Sequence, residues 1–202
     1  MFTDILHHFQ QLQMKEIAAE RKKVLAPLVT YIQNKRSLQL PVKLNFICTH
    51  NSRRSQLAQV LAQAIAHSCQ IEIKCYSGGT EATAFNQQAV KALEEMGFRI
   101  KQKGSDNPIY QCYFSNEHPP VEAFSKKFDH SINPTRDFAA IMTCSEADKN
   151  CPFIPGAALR IPIRYQDPKV YDGTPQASEQ YEATAQLIAK EMLYVFSQIA
   201  AS

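Results

Sequence analysis

The stretch from Asn45 to Leu57, Asn-Phe-Ile-Cys-Thr-His-Asn-Ser-Arg-Arg-Ser-Gln-Leu, constrains everything around it. An apolar run enters a cysteine, turns through five residues to Arg54, and opens a helix whose Leu57, Val60, Leu61, Ala64 and Ile65 recur at helical spacing. A strand feeding a helix through so short a loop directs several unpaired backbone N–H groups into one small space, where the positive end of the helix dipole favours an anion. Cys48 faces those donors and is expected to lose its proton more readily than a free thiol. Arg54 adds a planar fork that grips two oxyanion oxygens at once. Asn51 suits a left-handed point in the loop, and Ser55 is placed to bond the sulfur or cap the helix. A lone cysteine at a strand end is usually a small apolar core residue. The five-residue spacing to Arg54-Ser55 favours a nucleophile in an oxyanion cradle instead.

The chain has 202 residues, 45% of them hydrophobic, enough for one substantial core. A net charge of +3 without any polybasic run argues against nucleic acid as a partner. Six cysteines in a chain of this length, with no signal-like N-terminus, read as reduced thiols in a cytoplasmic protein. No segment approaches the roughly 20 consecutive apolar residues that span a bilayer, so no membrane partner is expected.

Residues 1–38 read as an N-terminal helical extension, with Ile5, Phe9 and Leu12 on one face and Leu25, Leu28, Val29 and Ile32 on another, and Pro27 bending the second helix. The extension either packs on the domain of residues 39–202 or mediates dimer contacts. Strands follow at Val42–Cys48, Ile71–Ser77, Phe138–Cys144 and Ala158–Pro162, and helices at Ser55–His67, Asn86–Met96 and Glu179–Ala200. Strands alternating with helices imply an α/β three-layer sandwich around a four-stranded parallel sheet. Residues 104–136, with four prolines and the aromatic run Tyr110 to Phe114, read as a long inserted loop with room for a hairpin.

Two further segments carry chemistry. The third strand runs into Thr-Cys-Ser-Glu-Ala-Asp-Lys-Asn-Cys-Pro, which sets Cys144 and Cys151 seven positions apart. The strand ends of a parallel sheet share one rim, so Cys144 approaches Cys48. If the intervening residues are helical, their rise separates the two Cα atoms by about 10.5 Å. A disulfide needs about 4.4–6.8 Å, so the pair joins only if that turn unwinds. Pro152 weakens any helical continuation there. This is the layout of a thiol relay; the alternative is two unrelated cysteines in a loop. Cys69, Cys75 and Cys112 have no paired-ligand spacing, so no zinc site and no cofactor are expected. After the fourth strand, Asp167-Pro168 is either a common turn or a carboxyl group held on the same rim to protonate a leaving oxygen.

Taken together, Cys48-Thr49-His50-Asn51-Ser52-Arg53-Arg54-Ser55, Cys144 through Cys151-Pro152, and Asp167-Pro168 resemble the low-molecular-weight protein tyrosine phosphatases and, more closely, the thioredoxin-coupled arsenate reductases of the same fold. The resemblance covers about residues 42–202, and its middle motif is the one that marks the reductases. It implies that Thr49, His50, Asn51, Ser52, Arg53 and Ser55 bind arsenate or phosphate with Arg54. It further implies that Cys48 attacks arsenate with Asp167 assisting, that a Cys48–Cys144 disulfide forms, and that Cys151 passes the disulfide outward to thioredoxin. The alternatives are a phosphatase working through a Cys48 phosphoenzyme and a non-catalytic oxyanion or phosphoprotein sensor. Some relatives bind potassium near the loop, and Asn51, Ser77 and Asp106 match that site loosely, with Gln59 where those relatives carry glutamate. His50 stands where the family usually has glycine, and Arg53 where many members have a second cysteine.

Overall fold

In the computed structural model, which describes residues 1–13, 16–151 and 153–200, two helices precede the first strand: α1 (Thr3–Gln13) and α2 (Ala19–Ser37). Then come β1 (Lys43–Cys48), α3 (Arg54–Ser68), β2 (Lys74–Gly79) and α4 (Gln87–Glu95). Three short strands follow, β3 (Arg99–Lys103), β4 (Ile109–Tyr113) and β5 (Val121–Ala123). The chain closes with β6 (Phe138–Met142), α5 (Ser145–Asn150), β7 (Ala157–Ile161) and α6 (Ala177–Ala200). Pro152 lies outside the described residues.

The main sheet has the order β2-β1-β6-β7 with every pair parallel, as the alternation of strands and helices requires. Alternation along β1 assigns its faces. Leu44 and Phe46 join the larger core with α3 and α6, whereas Ile47 joins Phe138, Ala140, Met142, Ala147 and Ile154 on the other side, under α5. The β1 and β6 runs are almost wholly buried, the signature of a central parallel strand covered on both faces.

Ile5, Phe9 and Leu12 of α1 and Leu25, Leu28 and Ile32 of α2 are buried in the same apolar cluster as Ile188, Met192 and Phe196 of α6. Pro27 sits inside α2 without ending it. Arg21 forks onto Glu191 of α6, Nε to Oε1 at 2.6 Å and Nη2 to Oε2 at 2.8 Å, and its guanidinium lies 5.2 Å over the Tyr165 ring.

Residues 104–136 carry the hairpin for which the expected long loop had room. They contribute β4 and β5, which with β3 form an antiparallel sheet in the order β3-β4-β5. Tyr110 and Cys112 alternate inward while Gln111 and Tyr113 face outward, a period of two that the prolines and the short run concealed. The second core strand also begins later than expected: Ile71 and Ile73 are buried in the core but precede the ladder, which starts at Lys74.

Candidate active site

Parallel pairing brings the C-terminal ends of β1, β2 and β6 to one rim. Cys48 ends β1 beside Gly79 of β2, Thr143 donates its amide to the Ile47 carbonyl at 2.7 Å, and the Tyr165 amide reaches the Thr143 carbonyl at 3.0 Å. The last bond carries residues 165–167 across the same rim, so Cys48, Cys144 and Asp167 converge as the strand ends require. A cleft of about 440 Å³ opens there, lined by Arg54, Cys144, Glu146, Arg164, Tyr165 and Asp167.

The loop from Cys48 to Arg53 closes around its own sulfur. The Asn51 amide donates to Cys48 Sγ at 3.2 Å, and Ser55 Oγ lies 3.0 Å from it. Asn51 adopts φ +45°, the left-handed turn expected of it. Its Nδ2 donates to Ser55 Oγ at 2.8 Å, which leaves the Ser55 hydroxyl hydrogen free to point at the sulfur. Its Oδ1 accepts from the Lys126 amide at 2.9 Å. The first helical hydrogen bond of α3 runs from the Leu57 amide to the Arg53 carbonyl, and no side chain caps the helix, so the Arg54, Ser55 and Gln56 amides precede the hydrogen-bond ladder. Ser55 therefore serves the sulfur and not the cap. β2 presses on this loop so closely that a Cβ on Gly79 would stand 2.6 Å from the Thr49 carbonyl oxygen and 2.8 Å from the Asn51 nitrogen.

Cys48 is 3% exposed, and here the expectation of a lowered pKa is corrected. Burial pushes the thiol above its ordinary value, and the hydrogen bond from Ser55, the Arg54 charge and the Ser55 amide pull against it without prevailing. Arg54 donates Nη2 to Asp167 Oδ2 at 2.6 Å and Nη1 to the Tyr165 carbonyl at 3.0 Å. Its Nε is buried and has no hydrogen-bond partner among the described residues. Asp167 also accepts from the Lys169 amide at 3.1 Å, capping a 3₁₀ turn over Pro168–Tyr171.

The side chains of Thr49, His50, Ser52 and Arg53 make their contacts outside the cradle. Thr49 donates to Glu146 Oε2 at 3.2 Å and lies 3.5 Å from Cys144 Sγ. His50 points outward, 3.6 Å from Glu81, and its φ is negative, so the usual glycine is not required there. Ser52 donates to the Ala84 carbonyl at 2.7 Å. Arg53 donates Nε to the Tyr181 hydroxyl of α6 at 2.7 Å and pairs at 3.2 Å with Asp172, which follows the 3₁₀ turn and neutralises its charge.

Cys144 is buried as the N-cap of α5, its sulfur accepting the Ala147 amide at 3.3 Å. Cys151 is half-buried at the other end of that helix, and all six thiols are free. Glu146, Arg164 and the Tyr165 carbonyl are cleft groups that sequence reasoning missed. Glu146 and Arg164 were accessible only as charged neighbours of Cys144 and Asp167.

Two of the three potassium candidates share one hydrogen-bond network. Asn51 and Ser77 meet through Gln56, and the Ser77 hydroxyl donates to Gln59 Oε1 at 2.6 Å, but Asp106 is exposed on the turn between β3 and β4. Gln59 supplies a neutral acceptor to Ser77 and donates its own amide to the Glu122 carbonyl at 3.3 Å.

Residues 43–111 match the family model described as low molecular weight phosphotyrosine protein phosphatase. An arsenate reductase of Staphylococcus epidermidis is 32% identical over 123 residues, 61% of this chain and 76% of that protein. An arsenate reductase of Bacillus subtilis is 31% identical over 129 residues, 64% of this chain and 76% of that one. Among solved structures, the Vibrio cholerae low molecular weight phosphotyrosine phosphatase superposes with a TM-score of 0.52 at 17% identity, covering 77% of this chain and 94% of that one. Its four-stranded parallel fold, its match to the family model and its arsenate reductase relatives agree: the chain belongs to the low molecular weight phosphotyrosine protein phosphatase family.

Proposed function

We propose that this protein is a thiol-based arsenate reductase in which Cys48 is the nucleophile, Cys144 and Cys151 form the disulfide relay, and thioredoxin restores the thiols. The observation that carries the reading is Cys144 held at the Cys48 rim through Thr49, with Cys151 at the far end of the same short helix. Phosphoester hydrolysis through a phosphoenzyme has no use for either residue.

Arsenate sits against the amides of the Cys48–Arg54 loop and the Arg54 fork, whose buried Nε has no other acceptor among the described residues. A bound arsenate dianion accepts the Cys48 proton, which resolves the raised pKa of the resting thiol: the thiolate forms together with its substrate. Ser55 and the Asn51 amide steady the sulfur's charge. The thiolate attacks arsenic, and one arsenate hydroxyl leaves as water with the proton that Cys48 gave up, which Asp167 passes to the leaving oxygen. Cys144 then attacks the Cys48 sulfur. The sulfur–arsenic bond breaks with its electron pair staying on arsenic, so arsenic(V) leaves as arsenite and the two thiols become a disulfide. Cys151 attacks Cys144 in turn, freeing Cys48, and the thioredoxin dithiol reduces the Cys144–Cys151 disulfide. Six unpaired cysteines suit a reducing cytoplasm. We read residues 1–38 as an extension of the reductase domain of residues 39–202.

The test is to assay the wild type and Cys144→Ser for thioredoxin-dependent arsenate reduction and for aryl phosphate hydrolysis. The relay predicts a reduction rate in the variant at least a hundredfold lower, with any hydrolysis surviving. Hydrolysis by a wild type that reduces no arsenate identifies a phosphatase. Inertness in both assays identifies a sensor.

A further inference from the structure

Asp148 is a carboxylate in the middle of the relay helix, its side chain only 6% exposed, and the steps above give it no role. Two arginines reach it from β7 and the segment just beyond. Arg160 pairs with Oδ1 and Arg164 with Oδ2. Arg160 also donates to the Asp148 main-chain carbonyl, and its Nε donates to the Cys151 carbonyl at 3.0 Å. One guanidinium thus holds the side chain of α5 and the carbonyls at its C-terminal end, where no helical amide would otherwise meet them. From within, the helix is closed by the Asp148 amide on the Cys144 carbonyl at 3.1 Å and the Cys151 amide on the Ala147 carbonyl at 3.0 Å.

These bonds bear on redox chemistry because of length. With α5 wound, seven positions of helical rise hold the Cys144 and Cys151 Cα atoms about 10.5 Å apart. A disulfide requires about 4.4–6.8 Å. Its formation must therefore break the α5 turn and with it the grip of Arg160 on Cys151. Any interaction present only in the wound state disfavours the disulfide by its full differential energy.

We propose that the Asp148–Arg160–Arg164 cluster is a latch that keeps α5 wound while the protein is reduced and sets how readily Cys144 and Cys151 join. This rests on the relay reading. The latch keeps Cys144 facing Cys48 until substrate has been turned over, and it suppresses an early Cys144–Cys151 disulfide that would idle the enzyme. Asp148 and Arg160 are positioning residues: they touch neither sulfur, and they act through the conformation of the segment between the two.

The full-length chain carrying Cys48→Ser, which removes the competing disulfide, is equilibrated with mixtures of oxidised and reduced glutathione. In the reaction followed, one glutathione disulfide oxidises the Cys144 and Cys151 thiols to their mutual disulfide. It leaves as two glutathione thiols that carry off both protons. Peptide mapping reads the Cys144–Cys151 disulfide, and far-ultraviolet circular dichroism confirms that each reduced variant is folded. Arg160→Gln is expected to raise the equilibrium constant for disulfide formation about tenfold, a midpoint lower by roughly 30 mV for this two-electron couple. Asp148→Asn is expected to shift it in the same direction, so one folded variant suffices. Folded variants with the wild-type midpoint, or one shifted the opposite way, overturn the latch while leaving the relay standing. Absence of any Cys144–Cys151 disulfide in the parent chain across the titration overturns the relay reading and the latch with it.

Discussion

At Cys48, burial and hydrogen bonding oppose each other, and the balance decides when the sulfur reacts. Desolvation favours the thiol, whereas the Ser55 hydroxyl and the Arg54 charge favour the thiolate. A hydrogen bond to a charged group contributes about 1.5–3 kcal/mol. Ser55→Ala is therefore expected to raise the Cys48 pKa further and to slow its alkylation by iodoacetamide at pH 8 about tenfold, with the pH profile displaced upward. A profile unchanged from wild type would remove Ser55 from the account. The sequence supplied Cys48, Arg54 and Asn51 as a pattern. It did not supply the sulfur's burial, because that depends on α5 and on the 165–167 segment arriving from elsewhere in the chain. For the same reason the spacing from Cys48 singled out Arg54 but did not show what would hold its neighbour Arg53. Arg54 faces Asp167 at the rim, while Arg53 is taken by Tyr181 and Asp172, more than a hundred residues away in sequence.

Among the elements, β2 shapes the cradle as much as β1 does, since its last residue backs the anion loop. A Cβ at position 79 would collide with backbone atoms of Thr49, Asn51 and Glu81, none of which moves without moving the loop. Gly79→Ala is accordingly expected to cost about 1–3 kcal/mol of stability as overpacking. Titration calorimetry with inorganic phosphate should show at least a tenfold loss of affinity in the folded variant. Undiminished binding would mean that the loop adapts and that β2 does not set its shape. Helical periodicity made α3, α4 and α6 legible to within a few residues, and the Asn86 cap forms as residue type predicts, accepting from the Gln88 and Ala89 amides. The hairpin of β4 and β5 was legible only as room within a loop, and its pairing with β3 not at all, because β5 has three residues and β4 five, too few for a period of two to stand out among prolines.

Over the whole molecule, the N-terminal helices and the parallel sheet share one apolar cluster, so unfolding anywhere in it reports on a single core. Lys126 sits behind the anion loop at 3% exposure, and burial lowers its pKa from the ordinary 10.5 to about 8. Below pH 8 the native state carries this buried charge at a penalty. Between about pH 8 and 10.5 the unfolded chain binds the proton and the native state has released it, so this group's contribution to stability rises with pH. Lys126→Met should therefore stabilise the fold at pH 7, by up to about 3 kcal/mol, and the gain should shrink as pH climbs toward 10.5. Thermal melts of both proteins at pH 7 and pH 9.5 check this, and an equal difference at both pH values would contradict it. By itself the sequence determined the strand–loop–helix cradle, the parallel alternation and the spacing of Cys144 and Cys151, because each is written in residues adjacent along the chain. Only the tertiary structure decided that Arg53 is taken by Tyr181 and Asp172, that burial raises the Cys48 pKa, and that Asp148 ties α5 to β7. Those outcomes depend on side chains brought together by packing across the sheet, and local periodicity carries no record of such partners.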